Sequence, residues 1–358
     1  MPASFEIQSS TGAYGVEIRR GLLADSMRRD DTVVVCDERF ADRFSKGSMA
    51  CIALPAEETV KSLEAMPDAI SRLRELGATR KTHLLAVGGG IVQDVAAFMA
   101  SVYMRGLGWS YVPTTLLGMV DSCIGGKSSI NVGRYKNLVG TFHPTEVVLV
   151  DPELLDTLPV SQRAAGLCEA IKICFARGPD AFDAYLAERP AVDMPDEGFE
   201  RVIETSLRSK KWFIEIDEFD AKERILLNFG HTFGHALEGA SKFAVGHGLA
   251  VGLGILCAAD FGRRIGRDYD RKPRVTQLTG HIERLLSAAP ELPTQVAKLT
   301  AKEALHNFLA DKKHERERFA VIVIGEDGAL ERLMLPKSGE NLAMVEAAFQ
   351  SVIDRGRA

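Results

Sequence analysis

The 358-residue chain has no Cys-x-x-Cys pair. Its six cysteines, Cys36, Cys51, Cys123, Cys168, Cys174 and Cys257, are scattered, most of them inside apolar segments. This pattern argues against a disulfide framework and for reduced thiols in a cytoplasmic protein. A chain of this length buries a core without such staples. Positive charge is not in excess: 44 Lys and Arg stand against 49 Asp and Glu, a net charge of -5. Nucleic acid and anionic membrane are therefore not expected partners. Long apolar runs are missing too. The stretch Ala250 to Asp260 is broken by glycine and aspartate well short of the ~20 residues a bilayer requires. The opening residues MPASFEIQSS carry neither a basic nor an apolar leader segment, so no signal peptide is expected. No repeat and no low-complexity tract is found. With 46% apolar and 26% charged residues, the chain reads as ordinary globular protein, of two domains or one large one.

The patterning changes along the chain. Residues Phe5–Gln8 and Tyr14–Arg19 read as a hairpin around Ser9-Ser10-Thr11-Gly12. The runs Thr32–Cys36, His83–Val87, Trp109–Val112 and Val147–Val150 read as buried strands, with helical spacing over Glu57–Leu76 and Ile91–Met104. Such alternation implies a Rossmann-like α/β domain with a mainly parallel sheet and right-handed crossovers, at about residues 1–152. After Pro152 helical spacing dominates, over Ser161–Ala176, Phe199–Ile216, Glu223–Phe243 and Gly246–Arg264. A late strand, Phe319–Ile324, precedes a final helix, Glu340–Ile353. A mainly α-helical C-terminal domain at about 153–358 is expected, with the junction of the two as the default ligand site.

Four groups of residues carry chemistry. In Val87-Gly88-Gly89-Gly90-Ile91-Val92-Gln93-Asp94, a strand meets three glycines and then a helix, which lets backbone amides approach a pyrophosphate; a purely structural turn is the alternative. It is neither GxGxxG nor a P-loop. Asp37, ending the first buried strand, is placed to hold a ribose hydroxyl or simply to form a turn. The stretch Gly125-Gly126-Lys127-Ser128-Ser129-Ile130-Asn131, with Lys136-Asn137 beyond it, offers cations and amides to a phosphate or carboxylate, or is a solvated loop. Glu169 and Lys172 lie at i, i+3 on a helix with apolar neighbours, as a buried pair needing a partner or as a surface ion pair. Finally, His231 and His235 share a helical face, with His247 a short way on. Imidazoles with one carboxylate make a catalytic zinc set. Thr232 stands where HExxH has its general base, so a metalloprotease is excluded.

Taken together, these blocks resemble the dehydroquinate synthase family of sugar-phosphate cyclases. The matching residues run from Glu58 to Leu253: Glu58-Thr59-Val60-Lys61, the triple-glycine turn with Asp94, Tyr103-Met104-Arg105-Gly106 and Val112–Leu117. They continue through Val120-Asp121-Ser122, GGKSSIN, KNLVGTFHP, Gly166–Lys172, Arg224–His231 and His247-Gly248. The resemblance implies a metal, Zn2+ or Co2+, held by Glu169, His231 and His247. It implies that His235 serves phosphate binding and proton transfer, and that Lys127, Asn137, Lys172 and Lys312 surround the substrate phosphate. The resemblance further implies that Arg105 of a neighbouring subunit joins them, in a homodimer, that Lys210, Arg224 and Asn228 hold the substrate carboxylate and its hydroxyls, and that an NAD site comprises Asp37, Glu58, Lys61, Gly89, Gly90, Asp94, Thr114, Thr115, Asp121 and Lys136. The chemistry implied is transient oxidation of a ring hydroxyl by NAD, phosphate elimination, return of the hydride, ring opening and intramolecular aldol closure.

Three departures from the family pattern stand out. Gln93 replaces a usual glycine, where a side chain is expected to crowd the pyrophosphate pocket. Leu249 replaces the glutamate of His-Gly-Glu-Ala-Val and is expected to weaken support for His247. Cys168 stands where alanine is commoner. Arg224 and Lys210 favour an acidic substrate, 3-deoxy-D-arabino-heptulosonate 7-phosphate, giving 3-dehydroquinate in the shikimate route to aromatic amino acids. The alternatives are a sedoheptulose 7-phosphate cyclase, a deoxy-inosose synthase or a metal-dependent glycerol or alcohol dehydrogenase.

Overall fold

A computed structural model describes residues 3–27, 31–46, 49–133 and 135–357. The chain forms two compact units, Met1–Leu158 with Phe199–Glu218, and Pro159–Gly198 with Phe219–Ala358.

In the first unit the strands are β1 (Ala3–Ser9), β2 (Gly12–Ile18), β3 (Thr32–Asp37), β4 (Ala50–Leu54), β5 (His83–Gly88), β6 (Trp109–Pro113), β7 (Ile130–Val132), β8 (Tyr135–Val139) and β9 (Val147–Val150). Seven of them form one sheet in the order β1-β2-β9-β6-β5-β3-β4, antiparallel only between β1 and β2. β5 and β6 are buried along their whole length, as their unbroken apolar runs require for a sheet covered on both faces. Val34, Cys36, Leu85, Val87 and Val112 form one cluster with Leu23 and Phe44. These last two come from the short helices α1 (Leu22–Ser26) and α2 (Ala41–Ser45). Because the central strands are parallel, their carboxyl ends put Asp37, Gly88 and Pro113 along one edge of the sheet.

The helix expected over 57–76 is shorter: α3 spans Met66–Glu75, with Pro67 in its first turn. The preceding residues are drawn away into backbone bonds with β7, Asn131 N donating to Lys61 O and Leu63 N to Asn131 O. α4 (Gly90–Val102) follows β5 directly. The strand β4 and the β7–β8 hairpin were not expected. β8 is largely exposed and carries Lys136 and Asn137 between apolar residues, without the alternation of a half-buried strand.

The second unit holds α5 (Val160–Arg177), α6 (Pro179–Ala187), α8 (His231–Ala240), α9 (His247–Arg264), α10 (Pro273–Ser287), α11 (Leu292–Val296), α12 (Ala301–Leu309) and α13 (Gly339–Arg357). A hairpin of β10 (Arg318–Ile324) and β11 (Leu330–Pro336) completes it. α9 is buried from Gly248 to Gly262 and packs against α5, α8, α10 and α13. Glycine permits the α8–α9 approach: a Cβ on Gly234 would lie 2.7 Å from Ala250 O. The single helix expected over 223–243 is in fact a 3-10 turn, Glu223–Asn228, then a break, then α8. The break is Gly230 at φ 76, a left-handed conformation that ends helical continuity.

The remaining helix, α7 (Asp196–Ile216), departs from the expected division at 152, because from Phe199 onward it belongs to the first unit. Ser206 Oγ donates to Val120 O, and Lys210 Nζ donates to Asp121 O at 2.6 Å. The Arg208 guanidinium stands 4.7 Å from the centre of the Phe5 ring. Amphipathic spacing announces a helix but not which sheet it covers. Among the described residues, no helix is long and apolar enough to cross a membrane.

Candidate active site

The second unit gathers five of the expected residues. Glu169 and Lys172, one turn apart on α5, are sealed from solvent at 0% and 2% exposure, with Lys172 Nζ 2.5 Å from Glu169 Oε2. Gly230 turns the chain so that α8 begins at His231, and the helix then presents His231, His235 and Glu238 at i, i+4 and i+7. His247 opens α9. Glu169 Oε1 lies 3.3 Å from His247 Nε2 and 3.8 Å from His231 Nε2. The three imidazoles are mutual neighbours, with ring centres 5.3 to 5.5 Å apart.

This arrangement fits a divalent cation. Both Glu169 oxygens are buried; Lys172 stands against Oε2, whereas Oε1 faces only the His231 and His247 imidazoles and has no well-formed hydrogen bond among the described residues, which is costly for a carboxylate unless a cation completes it. Ligands at about 2.1 Å from a tetrahedral ion lie roughly 3.4 Å apart, close to the two Glu169–imidazole separations. The three histidines also offer ligand atoms within 4.8 Å of one another. The far ring nitrogens are also held. His231 Nδ1 is 3.3 Å from Phe229 O, and His247 Nδ1 is 3.3 Å from Glu238 Oε2, which leaves each Nε2 for the ion.

Local charge sharpens the distinction among the three. Burial, then the charge of Lys172, holds His231 well below the ordinary histidine range, so it stays neutral and able to ligate. His235, which keeps an exposed ring, is lowered by desolvation and then by His247 and Lys313. For His247 burial acts downward, but hydrogen bonds to the carboxylates of Glu169 and Glu238 outweigh it and push the group up to about 10.

Arg224 is buried in the 3-10 turn, and Asn228 Nδ2 donates to Ile225 O in the same turn. Lys312 is exposed on the surface. Its neighbour Lys313 is half-buried, lies 3.6 Å from Asp311 and contributes to the depression of both His231 and His235. Lys313 and Glu238 were missed in the sequence. The adjacent lysines are equivalent in one dimension, whereas the i+7 position of Glu238 from His231 was readable.

The first unit gathers the residues expected to hold a dinucleotide. α4 starts at Gly90, its N-cap Gly89 offers no side chain, and its first-turn amides remain open at the end of β5. A Cβ on Gly90 would meet nothing within 4 Å, while one on Gly89 would press on Thr115 Cγ2 at 3.1 Å. This open space beside bare amides suits a pyrophosphate. Thr114 N donates to Gly88 O, and Thr115 Oγ1 accepts from Gly118 N. Lys61 Nζ lies 2.6 Å from Asp94 Oδ2, whose partner oxygen accepts from Ser129 N. Burial raises Asp94 to about 6, with Lys61 pulling the other way. Glu58 Oε1 accepts from Asn131 Nδ2 at 2.8 Å and faces Lys136 Nζ at 3.4 Å. Asp37 is buried, and its carboxylate accepts from Arg39 N, capping the turn Glu38–Phe40. Lys210 lies 2.5 Å from Asp121 Oδ1.

Gln93 does not crowd the cradle. Its amide donates to Ser122 O at 2.7 Å and accepts from Ser122 Oγ at 2.6 Å, which turns the side chain toward the turn 118–122. Three expected phosphate ligands are more exposed. Lys127 Nζ stands 5.7 Å from the centre of the Phe142 ring, and Asn137 is solvent-facing at φ 54. Arg105 is exposed at φ 73, with no ion pair among the described residues.

A mostly parallel sheet with a glycine cradle, and a helical unit with a buried carboxylate–imidazole cluster, define the structural class of the chain. Two solved structures share the fold along almost the whole chain. One is a 2-deoxy-scyllo-inosose synthase complexed with carbaglucose-6-phosphate, NAD+ and Co2+ (TM-score 0.84, 22% identity, 98% of this chain and 99% of that one). The other is a 2-epi-5-epi-valiolone synthase from Streptomyces hygroscopicus with NAD+ and Zn2+ bound (TM-score 0.78, 23% identity, 96% and 97%). The sequence narrows the class further. Residues 51–165 match the family model of the 3-dehydroquinate synthase N-terminal region, and residues 166–314 that of its C-terminal region. The 3-dehydroquinate synthase of Xylella fastidiosa is 35% identical over 347 residues, 88% of this chain and 85% of that protein. The chain belongs to the 3-dehydroquinate synthase family.

Proposed function

We propose that the protein is an NAD- and metal-dependent lyase that converts 3-deoxy-D-arabino-heptulosonate 7-phosphate to 3-dehydroquinate and inorganic phosphate. The observation that carries the metal half of this reading is the buried Glu169 carboxylate facing His231 and His247. NAD held at the glycine cradle would supply a hydride acceptor and donor, and a Zn2+ or Co2+ ion held by Glu169, His231 and His247 would supply Lewis-acid polarisation at the carbon being oxidised.

The chain's own residues supply the rest. Glu169, His231 and His247 hold the ion, and Lys172 keeps one Glu169 oxygen engaged so that the other faces the imidazoles. His235, neutral and with an accessible ring, moves the proton that accompanies phosphate departure. Lys127, Asn137, Lys172 and a lysine of the 312–313 pair stabilise the departing phosphate, with Lys313 better placed than Lys312 by its effect on the histidines. Arg224, with Lys210 and Asn228, recognises the carboxylate and hydroxyls. Gly89, Gly90, Thr114, Thr115 and Asp121 receive the dinucleotide, with Glu58, Lys61, Asp94 and Lys136 as a charged network beside it, and Asp37 at the sheet edge for the ribose. Arg105, exposed and unpaired among the described residues, serves a neighbouring subunit, which makes a homodimer the working form. Six free thiols fit a reducing, cytoplasmic setting.

A chelation experiment tests the proposal. Chelator-treated protein is expected to lose phosphate release, to regain it with Zn2+ or Co2+, and to need NAD only in catalytic amount. Undiminished phosphate release after verified metal removal, or NAD consumed in proportion to product, would overturn it.

A further inference from the structure

We propose that Glu238 is the positioning residue that selects the ligand set of the metal cluster, holding His247 toward Glu169 and leaving His235 outside. The inference rests on the metal reading above.

Four candidate donors crowd this site, and geometry alone does not separate them. The ligand atoms of His231, His235 and His247 all lie within 4.8 Å of one another, so an ion has an all-imidazole alternative to the set with Glu169. What differs is how each ring is held. His231 is tied to its own chain, Nδ1 to Phe229 O. Among the described residues, His247 has no such local anchor. It is the first residue of α9, its side chain is 38% exposed, and the preceding Gly246 gives no side-chain support. The group on its Nδ1 is Glu238 Oε2 at 3.3 Å, from a side chain only 14% exposed. A carboxylate there accepts the Nδ1 proton, fixes the tautomer with the lone pair on Nε2, and aims that lone pair at Glu169 Oε1.

Glu238 reaches this place because of helix periodicity. It follows His231 by seven residues and His235 by three, so all three project from one face of α8. Position 249, where a carboxylate would be expected to support His247, is a buried leucine. The support comes from the opposing helix instead. Released from Glu238, the His247 ring is free to rotate, and His235 becomes a competing donor at the same ion.

The test compares the full-length wild-type protein with Glu238→Gln and Glu238→Asp, using Co2+ as probe and reading affinity and the visible absorption spectrum, with circular dichroism to verify folding. Wild-type protein is expected to bind one Co2+. Glu238→Gln should bind it about 10- to 100-fold more weakly, with a changed spectrum as ligation shifts. Glu238→Asp should recover part of the affinity. Adding His235→Ala should alter the spectrum of Glu238→Gln while leaving that of the wild-type background unchanged. Equal affinity and an identical spectrum in folded Glu238→Gln would overturn this inference alone. Failure of the wild-type protein to bind Co2+ would instead overturn the metal reading beneath it.

Discussion

Lys172 Nζ stands 2.5 Å from Glu169 Oε2 inside a helix face closed to solvent. A lysine and a glutamate one turn apart are commonplace on surfaces, where such pairs contribute little. Here both charges are desolvated, and each depends on the other and on whatever completes the second carboxylate oxygen. Glu169→Ala is therefore expected to leave Lys172 uncompensated and to remove a ligand. Elemental analysis after dialysis should find the variant largely metal-free and its kcat reduced by at least about 1,000-fold. A metal-replete, active variant would remove Glu169 from the ligand set.

The two adjacent lysines give a second prediction. Lys313 is half-buried and electrically coupled to His231 and His235, whereas Lys312 is exposed. Steady-state kinetics should show Lys313→Ala losing roughly 10- to 100-fold more kcat/KM than Lys312→Ala. Equal losses, or the reverse order, would return the role to Lys312.

A third prediction concerns Gln93, whose amide makes both a donor and an acceptor bond to Ser122. Each such bond contributes about 1 kcal/mol net. Gln93→Ala should lower stability in urea by about 1–3 kcal/mol and weaken NAD binding several-fold by loosening the turn that carries Asp121. If Gln93→Ala binds NAD more tightly, the side chain obstructs the cradle after all.

His281 makes stability depend on pH. It is buried, with Nε2 3.0 Å from the Tyr185 hydroxyl, and burial, then Arg284, lowers it from 6.5 to about 4. The unfolded chain takes up a proton near 6.5 and the folded chain only near 4. This group's contribution is therefore fully present above 6.5 and is lost as the pH falls from 6.5 toward 4. Urea unfolding between pH 7 and 4.5 should show a steeper loss in the wild type than in His281→Phe. Parallel curves would show that His281 titrates alike in both states.

Much of this was legible in one dimension. Unbroken apolar runs gave the central parallel strands, and the four-residue spacing of His231 and His235 put two imidazoles on one face. The strand β4 was not, because Ala50–Leu54 is short and has no alternation to separate it from a loop. The join between Asn228 and His231 was not, because a glycine inside a helical pattern does not announce that it will adopt φ 76. Nor was the alliance of α7 with the sheet, which depends on tertiary partners such as Val120 and Asp121. Gln93 was misjudged for the same reason: its effect follows from where its amide points, toward Ser122.

We assign recognition of an acidic substrate to Arg224. The most direct measurement gives the purified protein, with zinc and a trace of NAD, either 3-deoxy-D-arabino-heptulosonate 7-phosphate or sedoheptulose 7-phosphate, and follows phosphate, carbocyclic product and NADH together. The account predicts phosphate and 3-dehydroquinate in equal amounts from the acid, no accumulation of NADH, and a loss of at least about 100-fold in kcat/KM with Arg224→Ala. Turnover of the sedoheptulose phosphate alone, or steady NADH formation without phosphate release, would contradict it.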